Sequence, residues 1–568
     1  MSKIIKYLVL SAVIFLSSCE KDLEEKFGNP DKQTDPDIEL FFTGALQERH
    51  LFRTNYGSYY HQFRQLNKVT GIGLYPYHWS SSREWIVLDD WSGPSFYYDI
   101  FNKASVNWVK NLNAMQLVFN GLPEEEKAAS EVYFYMADIV KAFVYQRSTD
   151  AYDDIPYEEA SGAFQEIFYP RYDSQEVIYK DIIEKLGIAV GALKNVSLDA
   201  SQQARLSSAD ILNGGDVSKW IKFANSLRLR MAIRLSVVDP TYSREVIQDL
   251  TNNNAEYVVN NEDVIGMEEL VKTRLTAGGS GIFFPRAFQE NGTDFWAPRF
   301  IMEDIFNYKQ VVDETVDPRT FVIFQPASDG RYIPLPEMER SASLNYLNQY
   351  LDSQDAEDII NGNHEPTNNT WAADEQLLSK YNRVTYLNFD AKFPVFTASE
   401  TYLLLAEAAV RFPGSVDVSA VDAYNKAIDL SIEYYYSLNN TNKSNSGTIP
   451  PLEEVNPDYY VTLDQAQANS FTQQRTAYFS SLGQDDQIEE IFYQKVAHLN
   501  IFNTYEVWSE ARRLMKNHGM LLKPVEDKVE WLERLYYPPT EERDNPDNFS
   551  QVAGQNDNST PVWWTGRK

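Results

Sequence analysis

One cysteine in 568 residues, Cys19, and six histidines leave little material for thiol or metal chemistry. A single thiol cannot close an intrachain disulfide, and one sulfur cannot build a zinc site. His50, His61, His78, His364, His498 and His518 never pair at the spacing that puts two imidazoles on one helix face. The sequence has no G-x-x-x-x-G-K-[ST], no H-E-x-x-H and no G-x-S-x-G; GGSGI at 278–282 carries Ile282 where the last glycine is required. No metal, no cofactor and no catalytic residue are therefore expected. Positive charge is also scarce: 51 Lys and Arg stand against 82 Asp and Glu, a net charge of −31. Such a chain repels phosphate backbones, which argues against nucleic acid as a partner. Beyond the N-terminus, no apolar run approaches the roughly 20 residues that a membrane helix needs.

What is present begins at that N-terminus. Lys3 and Lys6 precede a short apolar run from Ile4 to Leu16, and Leu16-Ser17-Ser18 stand directly before Cys19. This pattern describes a secretory signal peptide over residues 1–18. Leu-Ser-Ser-Cys also resembles a bacterial lipobox, in which the cysteine becomes the lipidated N-terminus; Cys19 is then an anchor. Residues 19–36, with Glu20, Asp22, Glu24, Glu25, Gly28, Pro30 and Pro36, are too polar to bury a core and read as a flexible tether. The acidic tract behind the cysteine resembles surface-export signals of some Gram-negative lipoproteins.

The remaining chain, 37–568, contains no Pro/Gly/Ser-rich linker and is expected to form one domain. Its long periodic segments are helical. In EVYFYMADIVKAFVYQ, Val132, Met136, Ile139, Val140 and Phe143 make one apolar face. In YDSQEVIYKDIIEKL, Asp173 is the expected cap with Glu176 three residues on, and Ile178, Ile182 and Leu186 form the stripe. In GGDVSKWIKFANSLRLRMAIRL, Asp216 fits an N-cap, and Trp220, Phe223, Leu227 and Met231 line one face. In TASETYLLLAEAAVRF and VSAVDAYNKAIDLSIEYY, small Ala406, Ala408 and Ala409, a break at Pro413–Gly414, then Ala423, Tyr424, Ala427 and Ile428 resemble a tetratricopeptide helix pair. Strand signals are few, KFPVFT being one. The predicted fold class is all-α, with helix pairs as scaffold, few short strands and long irregular loops.

Three long insertions interrupt the helices: 71–98, 275–300 and 352–374, the first two rich in aromatic residues. Long loops in compact proteins commonly carry function. Adjacent carboxylates, Asp89–Asp90 beside Trp85 and Trp91 and Asp153–Asp154 before Ile155–Pro156, invite a glycosidase reading. Glycosidase carboxylates, however, face each other across roughly 5 to 9.5 Å and come from separate segments, whereas adjacent aspartates rarely converge.

Taken in order, the anchored start, DAYDDIPYEEA at 150–160, GGDVSKWIKFANSLRLRMAIRLS at 214–236, DPR at 317–319, ETYLLLAEAA at 400–409, QKVAHLNIFNTYEVWSEARR at 494–513 and RLYYPPTEERDNPDN at 534–548 resemble the SusD/RagB family of nutrient-binding outer-membrane lipoproteins. The resemblance runs over essentially the whole chain. It implies an α-helical fold on four tetratricopeptide-like pairs, with the ligand site carried by variable loops. It also implies a partner, a SusC-like TonB-dependent β-barrel transporter that the lipoprotein covers as a lid, and attachment to the outer membrane through the lipid. The family motifs themselves read as structural: Trp220 and Trp508 as core, Arg228, Arg230, Arg512 and Arg513 as partners of helix ends or acidic neighbours, and the DDIPY aspartates as chain-fixing groups.

The ligand residues are then expected in the loops near 71–98 and 275–375. Trp79, Trp85, Trp296 and Trp371 are the stacking candidates, with Tyr77, Arg83, Asn291 and Asp294 as polar partners; Trp91 reads as core. Oligosaccharide is the favoured ligand. A RagB-type peptide ligand, a lipidated all-α glycoside hydrolase and a tetratricopeptide adaptor without small ligand are the alternatives.

Overall fold

The computed structural model describes residues 37–47, 70–72, 101, 108–267, 296–308, 315–361, 377–388, 391–442, 459–522 and 531–568. Nine helices carry the argument: α1 (Glu124–Tyr152), α2 (Gln175–Leu193), α3 (Val217–Leu235), α4 (Pro240–Asn252), α5 (Ala398–Arg411), α6 (Ala420–Thr441), α7 (Gln465–Ser481), α8 (Gln484–Leu499) and α9 (Thr504–His518). Among the described residues, four short strands, β1 (Ile265–Met267), β2 (Phe324–Gln325), β3 (Lys380–Tyr381) and β4 (Phe393–Phe396), make two antiparallel pairs, β1 with β4 and β2 with β3. The protein is mostly helical, as expected, and KFPVFT is a strand. Among the described residues no helix is long and apolar enough to cross a membrane.

Local chemistry explains where the helices start. Asp216 caps α3 by accepting from Ser218 N at 2.9 Å. The two glycines before it are required: Gly214 and Gly215 have φ of 67° and 79°, and a Cβ on Gly215 would lie 2.8 Å from the backbone of Ser207. The same turn is drawn around Asp210, whose carboxylate accepts from Leu212 N, Asn213 N, Gly215 N and the Trp220 indole, the last at 2.7 Å. The cap of α2 differs from expectation. Ser174 takes that role, accepting from Val177 N, while Asp173 is drawn back onto the preceding turn by Tyr157 N and Glu158 N at 3.0 and 2.9 Å. Two backbone donors outcompete one helix terminus for that carboxylate.

Packing follows the predicted stripes. Trp220, Phe223, Leu227, Met231 and Trp508 are fully buried in the main core. Helices α5 and α6 pack together, with Ala406, Ala408, Ala423 and Ala427 buried and Ser399 Oγ donating to the Ala427 carbonyl at 2.8 Å. The DDIPY aspartates fix the chain: Asp153 accepts from Trp563 N at 2.9 Å and Asp154 from Gln175 N at 3.0 Å. Two carboxylates committed to backbone N–H groups are poorly suited to act as an acid and base pair. A second, smaller core holds Trp296, Ile333, Leu335, Leu347, Ile359 and Leu378. It lies beside β3, where the candidate site begins.

Candidate ligand-binding face

Every residue from Leu378 to Asn388 is buried, although Ser379, Lys380, Asn382, Arg383, Thr385 and Asn388 are polar. Buried polar groups must find partners, and here many of the partners are the ends of long segments. The Tyr381 hydroxyl stands 2.6 Å from the Ile72 carbonyl and 2.8 Å from Asn500 Oδ1, so one proton faces two acceptors. Trp296 bridges to Lys380, and Ala297 N donates to the Ser379 carbonyl at 2.8 Å. Ser379 N in turn donates to Ile333 O at 2.8 Å, and Leu335 N to Ala297 O at 2.9 Å. Asn382 and Asn439 both donate their amides to the Tyr459 carbonyl, at 2.9 and 3.0 Å. Asn442 Nδ2 reaches Val384 O at 2.6 Å.

These contacts have a common meaning. Ile72, Trp296, Leu377, Asn442 and Tyr459 are the residues bordering 73–100, 268–295, 362–376 and 443–458, which lie outside the described residues. The first three of those stretches overlap the insertions flagged by the sequence. One end of each of these three therefore lies on or beside one buried seat, Leu378–Asn388, while Met267 pairs with Phe393 and Phe101 packs on Tyr152 and Tyr537.

The expected ligand residues divide accordingly. Trp79, Trp85, Trp371, Tyr77, Arg83, Asn291 and Asp294 lie outside the described residues, as do Cys19 and Trp91. Trp296 is described and corrects the expectation: its ring is 1% exposed, belongs to the second core and has the Lys380 ammonium 5.5 Å from its centroid. An indole packed this way has no open face for a ligand and acts as the anchor of its loop root. Sequence reasoning missed Tyr381, Asn382, Asn439, Asn442 and Asn500 as root-holding residues. Asn500 lies within the quoted motif at 494–513, whereas Tyr381, Asn382, Asn439 and Asn442 sit in none.

Behind the seat, the helices are locked by buried charge. Arg230 on α3 forks onto Glu400 of α5 at 2.7 and 2.8 Å. Arg513 on α9 forks onto Glu407 of α5 at 2.8 and 2.9 Å, and Lys495 on α8 bridges Glu407 and Glu510 at 2.9 and 2.6 Å. Arg234 joins Glu506 and Glu510. Burial pushes the Glu407 carboxyl up, but Arg513, Lys495 and Arg411 around it prevail and hold it well below the usual carboxylate range. Glu400, with Arg230 as its main cation, is held above its ordinary value by burial. Arg512 donates to the carbonyls of Asp150 and Glu533 at 2.8 and 2.7 Å, and Arg228 pairs with Asp249 at 3.0 Å. Arg228, Arg230, Arg512 and Arg513 thus serve the scaffold, as expected. His498 sits in the same interior, 2.7 Å from Thr397 Oγ1 and 2.9 Å from Ser431 Oγ; burial, with Arg319 adding to it, lowers its pKa to about 3. A histidine held neutral between two hydroxyls is a structural link. Among the described residues no group of His, Cys, Asp and Glu is arranged to hold a metal ion.

A helical scaffold keyed by buried charge thus stands behind the seat at Leu378–Asn388. The chain belongs to the SusD-like family described as "Starch-binding associating with outer membrane", whose profile matches residues 91–538. The members of this family are binding proteins, not enzymes. No curated protein matches the chain. Solved structures do. A chitin-binding protein is 21% identical with a TM-score of 0.60, over 93% of this chain and 99% of its own. A SusD homologue of Parabacteroides distasonis is 18% identical with a TM-score of 0.64, over 93% and 98%. A SusD homologue of Bacteroides thetaiotaomicron is 17% identical with a TM-score of 0.59, over 94% and 100%. At these identities the likeness is one of fold.

Proposed function

We propose that the protein is a lipid-anchored, surface-exposed capture protein that binds oligosaccharide and passes it to a SusC-like TonB-dependent β-barrel, which it covers as a lid. The observation that carries this reading is that one end of each long segment is held on or beside Leu378–Asn388, which would let separate segments contribute to one ligand face. Trp79, Trp85 and Trp371 supply aromatic faces for the apolar sides of sugar rings, and Tyr77, Arg83, Asn291 and Asp294 bond the hydroxyls. Cys19 carries the lipid, and residues 19–36 give the body its reach from the membrane. The family description, with its starch binding and outer-membrane association, supports a neutral glycan and this location. So does a structural neighbour that is titled chitin-binding. Nothing in the role requires bond breaking.

A soluble form beginning at Lys21 is titrated with plant, host and microbial oligosaccharides, read by tryptophan fluorescence, and assayed for new reducing ends. Binding without cleavage, lost in Trp79→Ala or Trp85→Ala, is expected. Absence of binding to every glycan, with binding to peptides, would replace the ligand class. New reducing ends would overturn the transport role.

A further inference from the structure

A chain of buried polar groups crosses the scaffold from the DPR motif at 317–319 to the start of α5. Arg319 Nη2 donates to Asp317 Oδ2 at 2.6 Å, and its Nη1 donates to Ser431 Oγ of α6 at 2.9 Å. Ser431 Oγ stands 2.9 Å from Nδ1 of His498 on α8, and Nε2 of that ring stands 2.7 Å from Thr397 Oγ1. Thr397 is the N-cap of α5 and accepts from Glu400 N at 3.3 Å. Asp317, Arg319, Ser431, His498 and Thr397 are all buried. The chain has a direction, because a guanidinium only donates. Having accepted from Arg319, the Ser431 hydroxyl has its own proton to give, and Nδ1 is the acceptor beside it. Burial, with Arg319 adding to it, keeps the imidazole neutral at ordinary pH, so it carries one N–H. With Nδ1 accepting, that proton sits on Nε2 and goes to Thr397 Oγ1. Thr397 then accepts twice, from Nε2 and from Glu400 N, and its own proton is directed out of the chain.

Thr397 lines a small cavity at β4, α5 and α6, together with Glu400, Tyr434, Pro394, Phe396 and Phe502. The space admits about one water molecule. Tyr434 is 7% exposed, and among the described residues its hydroxyl has no hydrogen-bond partner. A buried hydroxyl in that position favours a polar guest beside it. The Glu400 oxygens accept from Arg230 at 2.7 and 2.8 Å, and each keeps a further lone pair. A donor, an acceptor and a hydroxyl that can be either, around one water-sized space, match the three bonds that a buried water makes. An ion suits the site less, because Arg230 already balances Glu400 and the remaining walls are apolar. We propose that the cavity is a binding site for a single water, which accepts from Thr397, donates to Glu400 and bonds the Tyr434 hydroxyl, and that His498 is accordingly the Nε2–H tautomer. The water completes the chain that begins at Asp317, so that the DPR motif, α6, α8 and the cap of α5 share one hydrogen-bonded order.

The soluble form beginning at Lys21 is crystallised and solved at a resolution that shows ordered water. The same protein with isotope-labelled histidine is studied by two-bond nitrogen–proton correlation, which tells the two tautomers apart. Expected are one peak of density within hydrogen-bond distance of Tyr434 Oη, Thr397 Oγ1 and a Glu400 oxygen, and an imidazole signal, missing from His498→Gln, with its proton on Nε2. A cavity without density, density with the short contacts of a bound cation, or a proton on Nδ1 overturns the proposal. Variants then read the bonds one at a time. Tyr434→Phe keeps the ring and is expected to fold with the density lost or reduced in occupancy. Thr397→Val is expected to lower the unfolding midpoint and to shift the His498 signal, and Thr397→Ser to restore both. A Tyr434 that is merely packed would leave the density unchanged in Tyr434→Phe. A Thr397 that merely caps α5 would leave the His498 signal unchanged in Thr397→Val. Either result overturns the water's assigned partners.

Discussion

Arg513 and Glu407 are 106 residues apart in sequence, yet they meet fork to fork, Nη1–Oε1 at 2.8 Å and Nη2–Oε2 at 2.9 Å, both out of water. A buried pair of this kind costs much to desolvate and returns that cost through geometry and further hydrogen bonds. Lys495 and Glu510 complete the group, so no charge in it depends on a single partner.

Glu407→Gln is therefore expected to leave Arg513 and Lys495 short of one negative charge in a dry interior. The loss should be about 3–5 kcal/mol of stability, the usual range for removing one partner of a buried pair. Denaturant unfolding monitored by far-UV circular dichroism reads it directly. A change below about 1 kcal/mol would mean that water reaches the group.

His498 gives a pH dependence with a defined sign. Its folded pKa of about 3 lies below the ordinary 6.5, so the unfolded chain binds the proton first as pH falls. Stability is unaffected above pH 6.5 and declines below it, by up to about 1.4 kcal/mol per pH unit, until the folded pKa is reached. The depressed Glu407 carboxyl adds a second loss that begins near its ordinary 4.5. Unfolding midpoints measured from pH 8 to 4 should show the first decline in wild type. His498→Gln should be less stable at pH 8 but nearly flat between 6.5 and 5. A wild-type profile flat over that interval would mean that the imidazole is hydrated.

Trp296→Ala tests the corrected role of that indole. Emptying a fully buried tryptophan site costs about 3–5 kcal/mol. The thermal midpoint should fall substantially, and oligosaccharide binding should weaken through the displaced root. Wild-type stability with lost binding would restore Trp296 as a direct contact.

Cys19→Ala tests the anchor. In a Gram-negative host, labelled palmitate should enter the wild-type protein and not the variant, and the variant should leave the membrane fraction. Equal labelling of both would remove the lipobox assignment.

The helical scaffold was legible because it is written in local terms. Asp216 before an apolar stripe, the stripe itself, and alanines at the α5–α6 contact each act within a few residues. Asp173 shows the limit: its neighbour Ser174 won the cap because Tyr157, sixteen residues earlier, claimed the carboxylate. The arginines were legible as partners of acidic groups, but which ones was not, since Arg230 and Glu400 are 170 residues apart. Trp296 failed for the same reason. Its loop setting pointed outward, and only the later strand at Lys380, with Ile333 and Leu335, shows that the ring is enclosed. The root-holding asparagines carry no periodicity, because their function is to accept or donate across the chain.

The charged interior also sets the mechanical character of the scaffold. Two helices joined by methyl groups can shear past each other with little penalty, since one apolar contact replaces another. A guanidinium seated on a carboxylate has no such substitute: a slip of one residue, about 1.5 Å along a helix, opens both of its bonds at once. With α3, α5, α8 and α9 keyed together through Arg230, Glu407, Lys495 and Arg513, a push at one end of the stack arrives at the other as displacement rather than as deformation.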